Sequence, residues 1–124
     1  YATNSIGTTY SSVGTFTTLA IAPTVTTPTS ASVTDTTADL GGNVTSDGGG
    51  TVTARGAVYS LTATNAAPQI GGTGVTNAVG TGTTGVFTVG VSGLTASSGY
   101  SYAAYATNSI GTTYSSVGTF TTAA

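Results

Sequence analysis

Apolar residues in this chain recur at every second position, in short runs punctuated by Gly, Asn, Asp and Pro, and no stretch shows a helical period with caps. Thr, Val and Tyr dominate the runs, the residue types that suit pleated, half-buried surfaces. A period of two sends alternate side chains to opposite faces of a strand. In residues 38–44, Ala38, Leu40, Gly42 and Val44 therefore share one face, with Asp39, Gly41 and Asn43 on the other. Residues 51–60 alternate with Val52, Ala54, Gly56 and Val58 inward and Arg55 and Tyr59 outward. Phe87, Val89 and Val91 line one face of 86–91; Tyr100, Tyr102, Ala104 and Ala106 line one face of 100–108; residues 114–121 close the sheet with Phe120 inward. A weaker strand is expected over 75–79, and residues 61–74 read as irregular. The first strand follows Pro23 and contains Pro28, neither of which can donate to a ladder, so it belongs at a sheet edge. Turns are expected at 46–50 (SDGGG), 80–85 and 108–112 (NSIGT). Seven short strands with turn signals roughly every 8–12 residues predict an all-β, seven-stranded antiparallel β-sandwich. Its expected core is Leu40, Val44, Val58, Phe87, Val89, Tyr102 and Phe120.

Residues 1–18 read YATNSIGTTYSSVGTFTT, and residues 105–122 repeat them letter for letter at an offset of 104. Chance does not produce an identical match of that length. The chain therefore reads as one full period of a tandem array, residues 24–124, preceded by a linker, 19–23, and by the end strands of the preceding repeat, 1–18. A period near 100 residues is one small domain per repeat, too long for a solenoid unit. An isolated hairpin is marginal in water, so residues 1–18 need a partner. Two arrangements supply one: an upstream domain in the same chain, or the sandwich of another chain entered by swapping or strand donation.

Charge is nearly absent. Apart from tyrosine, the ionisable side chains are Asp35, Asp39, Asp47 and Arg55, giving 3% charged residues where soluble domains average about a quarter. A net charge of −2 gives no clustered cations to grip nucleic acid or an anionic membrane. The surface is kept wet by hydroxyls, with 31 Thr among the 124 residues, and a neutral surface favours association. There is no Cys, Met, Trp, His, Lys or Glu. The chain thus resists oxidation and offers a trypsin-like protease one site, which suits an exposed, long-lived extracellular material. No apolar run approaches the ~18 residues of a spanning helix, and the chain reads as a segment or a processed product, with no membrane insertion expected.

Residues 93–122, GLTASSGYSYAAYATNSIGTTYSSVGTFTT, carry a Leu, a Tyr six residues on, an alternating strand ending in Ala-x-Asn, a Gly turn and a final Phe-Thr-Thr. They resemble the last third of a fibronectin type III-like repeat of bacterial extracellular surface and adhesin-type proteins. The front part, SVTDTTADLGGNVTSDGG followed by ARGAVYS, resembles the same subgroup, so the resemblance covers about 100 residues. It implies that Leu94 and Tyr100 form a tyrosine corner, in which the phenol bonds back to the backbone across a loop. Animal modules of this kind commonly carry a Trp on the second strand; Leu40 stands there instead, implying a lighter core built on Phe87, Tyr100, Tyr102 and Phe120. Bacterial surface sandwiches often lock themselves with a Lys–Asn isopeptide bond, which a chain without Lys cannot form. The resemblance bears on fold more than on function, because such sandwiches host many roles.

Catalysis is not expected: general acid–base work wants His, Glu, Lys or a tuned Asp, and the many Ser and Thr have no base to activate them. No cofactor is expected. Zinc lacks its Cys and His ligands, and SDGGG at 46–50 offers calcium one carboxylate, so it reads as an Asp-Gly turn. Thr-x-Thr recurs, as at 24–26, 51–53, 62–64 and 81–83, but not at the short regular period an ice-binding ladder requires. Asn43-Val44-Thr45 is the sole N-x-[ST] sequon, making Asn43 the glycosylation candidate; the Ser/Thr wealth near Pro23 and Pro28 would also permit O-glycans, or simply suit exposed strand faces. Tyr10, Leu19, Ile21, Tyr59, Tyr105 and Tyr114 are the expected contacts between domains or subunits, and the Tyr among them could also serve as a platform for a surface glycan or protein. The expectation is a structural repeat of a secreted, cell-surface filament or stalk, partnered by its own neighbours. A non-covalent filament joined through residues 1–18, and a binding module using exposed Tyr, are the alternatives.

Overall fold

The computed structural model describes residues 19–124 and, of the segment before them, the backbone of Ala2–Thr3 (β1) and Thr8–Thr9 (β2). Every regular element among them is a strand. β3 (Thr24–Ala31), β4 (Ala38–Ser46) and β7 (Gly85–Val91) form one antiparallel sheet in the order β3-β4-β7. β5 (Ala54–Leu61), β6 (Thr76–Val79), β8 (Gly99–Thr107), β9 (Thr112–Tyr114) and β10 (Gly118–Thr121) form the other, ordered β10-β8-β5-β6 with β9 also paired to β8. Two antiparallel sheets face to face make the sandwich expected of alternating strands. β9 and β10 are one edge strand interrupted by a bulge. At the break the Ser115 N–H donates to the Ala104 carbonyl at 2.8 Å, while the Ser115 hydroxyl accepts from the Ala104 N–H at 2.9 Å, standing in for a backbone oxygen.

The core lies between the sheets in two continuous pools. Ala38, Leu40, Ala57, Tyr59, Val91, Leu94, Tyr100, Tyr102 and Phe120 fill one end. Val25, Val44, Val52, Phe87, Ala104 and Ala106 fill the other, with half-buried Val89 against them. Small residues thin this second pool: a Cβ at Gly42 would stand 2.5 Å from the Ala104 methyl, so only glycine lets the sheets approach there.

β5 faces the other way from the alternation expected of it. Ala57 and Tyr59 point into the sandwich, and Arg55 shares their face, with its guanidinium 4.8 Å over the Phe87 ring. Val58 is fully buried, but on the opposite face, where it packs with Ala103 and Tyr105 and with half-buried Ala54, Val75 and Tyr114. The physical reason is that both faces of β5 and β8 are covered. The expected irregular stretch between β5 and β6 folds over the outer face of the larger sheet, and its Ile70 N–H donates to the Tyr114 hydroxyl at 3.0 Å. The expectation for these two rings is therefore corrected: Tyr59 points inward, and Tyr105 faces outward but is covered, and they are 9% and 1% exposed.

Candidate functional site

The two ends of the sandwich are where chain enters and leaves, and both are tied down by hydrogen bonds. At the entry end the Ile21 N–H donates to the Gly48 carbonyl at 2.8 Å. The Asn108 amide, at the start of the β8–β9 hairpin, donates to the Ile21 carbonyl at 2.7 Å and the Asp47 carbonyl at 2.9 Å. Its Oδ1 accepts from the N–H groups of Ile110 (2.9 Å) and Gly111 (3.2 Å), an Asx turn closing the hairpin. One buried side chain thus ties three segments together. Gly48 permits it, with φ at 72° and a Cβ position that would collide with the Ile21 carbonyl. Leu19, Ile21 and Ile110 project from this end, 88%, 62% and 57% exposed.

At the exit end the Tyr100 hydroxyl accepts from the Thr95 N–H at 2.8 Å, with Leu94 buried beside it. This is the corner geometry that bridges the β7–β8 connection. The Tyr100 ring stacks on Phe120 at 5.3 Å and meets Tyr59 edge-on at 6.3 Å. The Thr122 hydroxyl donates to the Thr95 carbonyl and accepts from the Ser98 N–H. The Ala123 N–H donates to the Thr34 carbonyl at 3.0 Å, and its carbonyl accepts from the Ser97 N–H at 2.9 Å.

The expected contact residues separate into different environments. Tyr105 lies under the outer-face cluster, its hydroxyl donating to Asn77 Oδ1 at 2.7 Å and its ring 6.3 Å from that of half-buried Tyr114. Burial raises the Tyr105 phenol above its ordinary value, opposed by the Asn77 bond; burial likewise raises Tyr59, opposed by Thr76. These two rings offer no platform for a sugar or a partner. Tyr10 lies outside the described residues. Asn43 is half-buried in the middle of the central strand β4, its backbone paired with Thr26 and Val86.

Arg55 is the residue that reading by sequence misplaced most. Its Nε donates to the Thr81 carbonyl at 2.6 Å and its Nη1 to the Thr84 carbonyl at 3.0 Å, so the one cation of the chain organises the β6–β7 loop. A cleft of about 430 Å³ between the β5–β6 and β7–β8 connections is lined by Tyr59, Leu61, Thr64, Thr76, Ser92 and Tyr100 among others, none of them charged. Among the described residues no group of three His, Cys, Asp or Glu could hold a metal ion, and no helix is long and apolar enough to cross a membrane.

Neither protein-family models nor curated protein sequences give a match to this chain. Solved structures do. Domains A168–A170 of titin align with a TM-score of 0.62 at 17% identity, over 84% of this chain, which spans about a third (33%) of that fragment. The sensor domain of the anti-sigma factor RsgI4 from Pseudobacteroides cellulosolvens aligns in a short form with a TM-score of 0.60 at 18% identity, over 82% of this chain and 95% of that one. Its solution structure gives 0.54 at 16% identity, over 86% and 76%. At such identities the likeness is one of fold: the chain is an immunoglobulin-like, fibronectin type III-like β-sandwich.

Proposed function

We propose that this chain is a structural repeat of a secreted extracellular filament or cell-surface stalk, stacking head to tail with copies of itself, and that it is not an enzyme. One observation carries the reading: the 18-residue identity at an offset of 104. The backbone supports it. Ala2 pairs with Thr9 and Thr3 with Thr8, and one period later Ala106 pairs with Thr113 and Thr107 with Thr112. That these four residues repeat both their letters and their pairing favours reading residues 1–18 as the same piece of the same fold. Composition favours a passive, durable role. Nothing in the side-chain set activates a hydroxyl, and the lack of thiol, thioether and Lys suits long exposure outside a cell. Reach then grows with the number of repeats.

The same identity favours a second reading. Residues 1–18 of one chain can make the contacts that 105–122 make within another, joining separate chains by exchange. The intact mass of the native material under denaturing conditions tests both. A species far larger than 11.8 kDa is expected for the covalent array. A species at 11.8 kDa overturns it and leaves exchange, which deletion of residues 1–18 would then abolish. Added mass in sugar-sized steps would place glycans on the Thr-rich surface or on Asn43.

A further inference from the structure

Leu19 and Ala123 occupy the same place in the period (123 − 104 = 19), and Ala20 and Ala124 likewise. Ala123 is held at the exit end through Thr34 and Ser97, on both its N–H and its carbonyl. Ile21 is held at the entry end in the same double fashion, through Gly48 and Asn108. We propose that consecutive repeats meet at a joint with no free linker: Leu19 is bound by the preceding repeat as Ala123 is bound here, Ile21 is bound by its own, and Ala20 alone lies between. The inference rests on the tandem reading above.

Geometry then forces contact. Two residues span at most about 7 Å from Cα to Cα, less than two facing layers of side chains occupy. The 34–37 and 95–98 loops of one repeat must therefore press on the 46–50 and 108–111 loops of the next. Even Ala20 is half-buried against this end rather than free in solvent. The segment LAIAP contains no Gly or Ser to loosen it, and buried Pro23 fixes its far end. Leu19, Ile21 and Ile110 are the side chains this contact covers. Their exposure in a single unit is explained by an occupant, and that occupant is the exit end of the preceding copy. Leu19 arrives there just after that copy's own last strand, at the position of Ala123, while Ile21 and Ile110 cap it from the other side.

Because the chain has no cysteine, two spin labels report the joint cleanly. A two-period protein is made by placing residues 19–104 ahead of the full chain, with exposed Thr88 replaced by Cys in each period. Residues 111–123 cross the sandwich from end to end in twelve steps, so at about 3.3 Å per residue, less the bulge, the labels should lie roughly 35–40 Å apart. Pulsed electron resonance should give one narrow distance distribution. Inserting Gly-Ser-Gly-Ser between Ala20 and Ile21 of the second period should widen it at least twofold. Ile21→Ser with Ile110→Ser should also widen it, with the circular dichroism of the folded sheets retained. An unmodified tandem as broad as the inserted one overturns the joint; a distribution that stays narrow in the double Ser variant overturns the apolar contact. Native material of single-chain mass overturns instead the tandem reading beneath it.

Discussion

Asn108→Ala is the substitution that should cost most for the fewest atoms removed. The side chain is 4% exposed and makes four hydrogen bonds, all to backbone groups of residues that no other side chain ties together. A net hydrogen bond is worth about 1 kcal/mol, and a buried group left unpaired costs about 1–3. The bonds are not equal. The N–H groups of Ile110 and Gly111 belong to an exposed hairpin tip and gain water once the amide is gone, so their loss counts little. The carbonyls of Ile21 and Asp47 lose the donor that holds the entry segment to the β4–β5 turn, and the Ile21–Gly48 bond beside them loses its support. Roughly 2–3 kcal/mol is expected in total. For a domain of about 100 residues that lowers the midpoint of thermal unfolding by roughly 10–20 °C. Denaturant unfolding at constant m-value measures the energy. Hydrogen exchange at the Ile21 amide measures the local effect, and its protection should fall further than that of Tyr102 or Leu40. Asn108→Asp separates the two halves: it keeps the acceptor for Ile110 and Gly111 but turns an oxygen toward two carbonyls, so it should fall at least as far as Ala. A cost below about 0.5 kcal/mol with Ile21 still protected would refute the reasoning.

Three further outcomes follow from the same geometry. Tyr100→Phe removes the acceptor of the Thr95 N–H and should cost about 1–2 kcal/mol by denaturant midpoint while leaving the Phe120 stack in place. Arg55→Ala strips the cation from Phe87 and the donors from the Thr81 and Thr84 carbonyls; about 2–4 kcal/mol should be lost, with faster hydrogen exchange at Gly80, whose N–H donates to the Arg55 carbonyl at the base of that loop. The Tyr59 and Tyr105 phenols are raised above 10.0 in the fold, so above that pH the unfolded chain releases protons first and the folded chain holds more. Melting temperature should stay level with respect to these groups up to pH 9 and fall beyond 10, and the fall should shrink in Tyr59→Phe with Tyr105→Phe.

Alternation made β4, β7 and β8 legible because in each the large residues line the face toward the other sheet: Leu40 and Val44, Phe87 and Val91, Tyr100 and Tyr102. It failed on β5, where both faces are covered and a period of two no longer distinguishes them. Arg55 decided the expectation wrongly, since a charge ordinarily marks the wet face. Here it sits at the end of β5, close enough to the β6–β7 loop to satisfy its donors with carbonyls. The signal that would have found the covered outer face was present in Ala103 and Tyr105, apolar residues on the face of β8 that alternation assigns to solvent. What covers them is a stretch without period, which carries no such signal. The proposed joint was half legible. The duplication located it, but the tie from Asn108 spans 87 positions, and only the fold brings those residues together.

The scarcity of charge raises a question that the edges of the sheets answer. Open edges pair with one another unless something prevents it, and Lys is the usual guard. With no Lys, this chain relies on shape. The β3 edge slips register between Thr26 and Thr29, around Pro28 and a Thr27 held at a φ of 53°. The β9–β10 edge is broken at Ser115, and β6 is four residues long. β7 is the longest continuous edge, and Arg55 reaches the Thr84 and Gly85 carbonyls where it begins. Bulges, a proline, brevity and one cation therefore blunt the sides. Of the seven large apolar residues exposed among the described residues, Leu19, Ile21 and Ile110 gather at a single end. A neutral sandwich built this way discourages pairing side by side, and its exposed apolar residues at one pole fit the proposed stack growing in one direction.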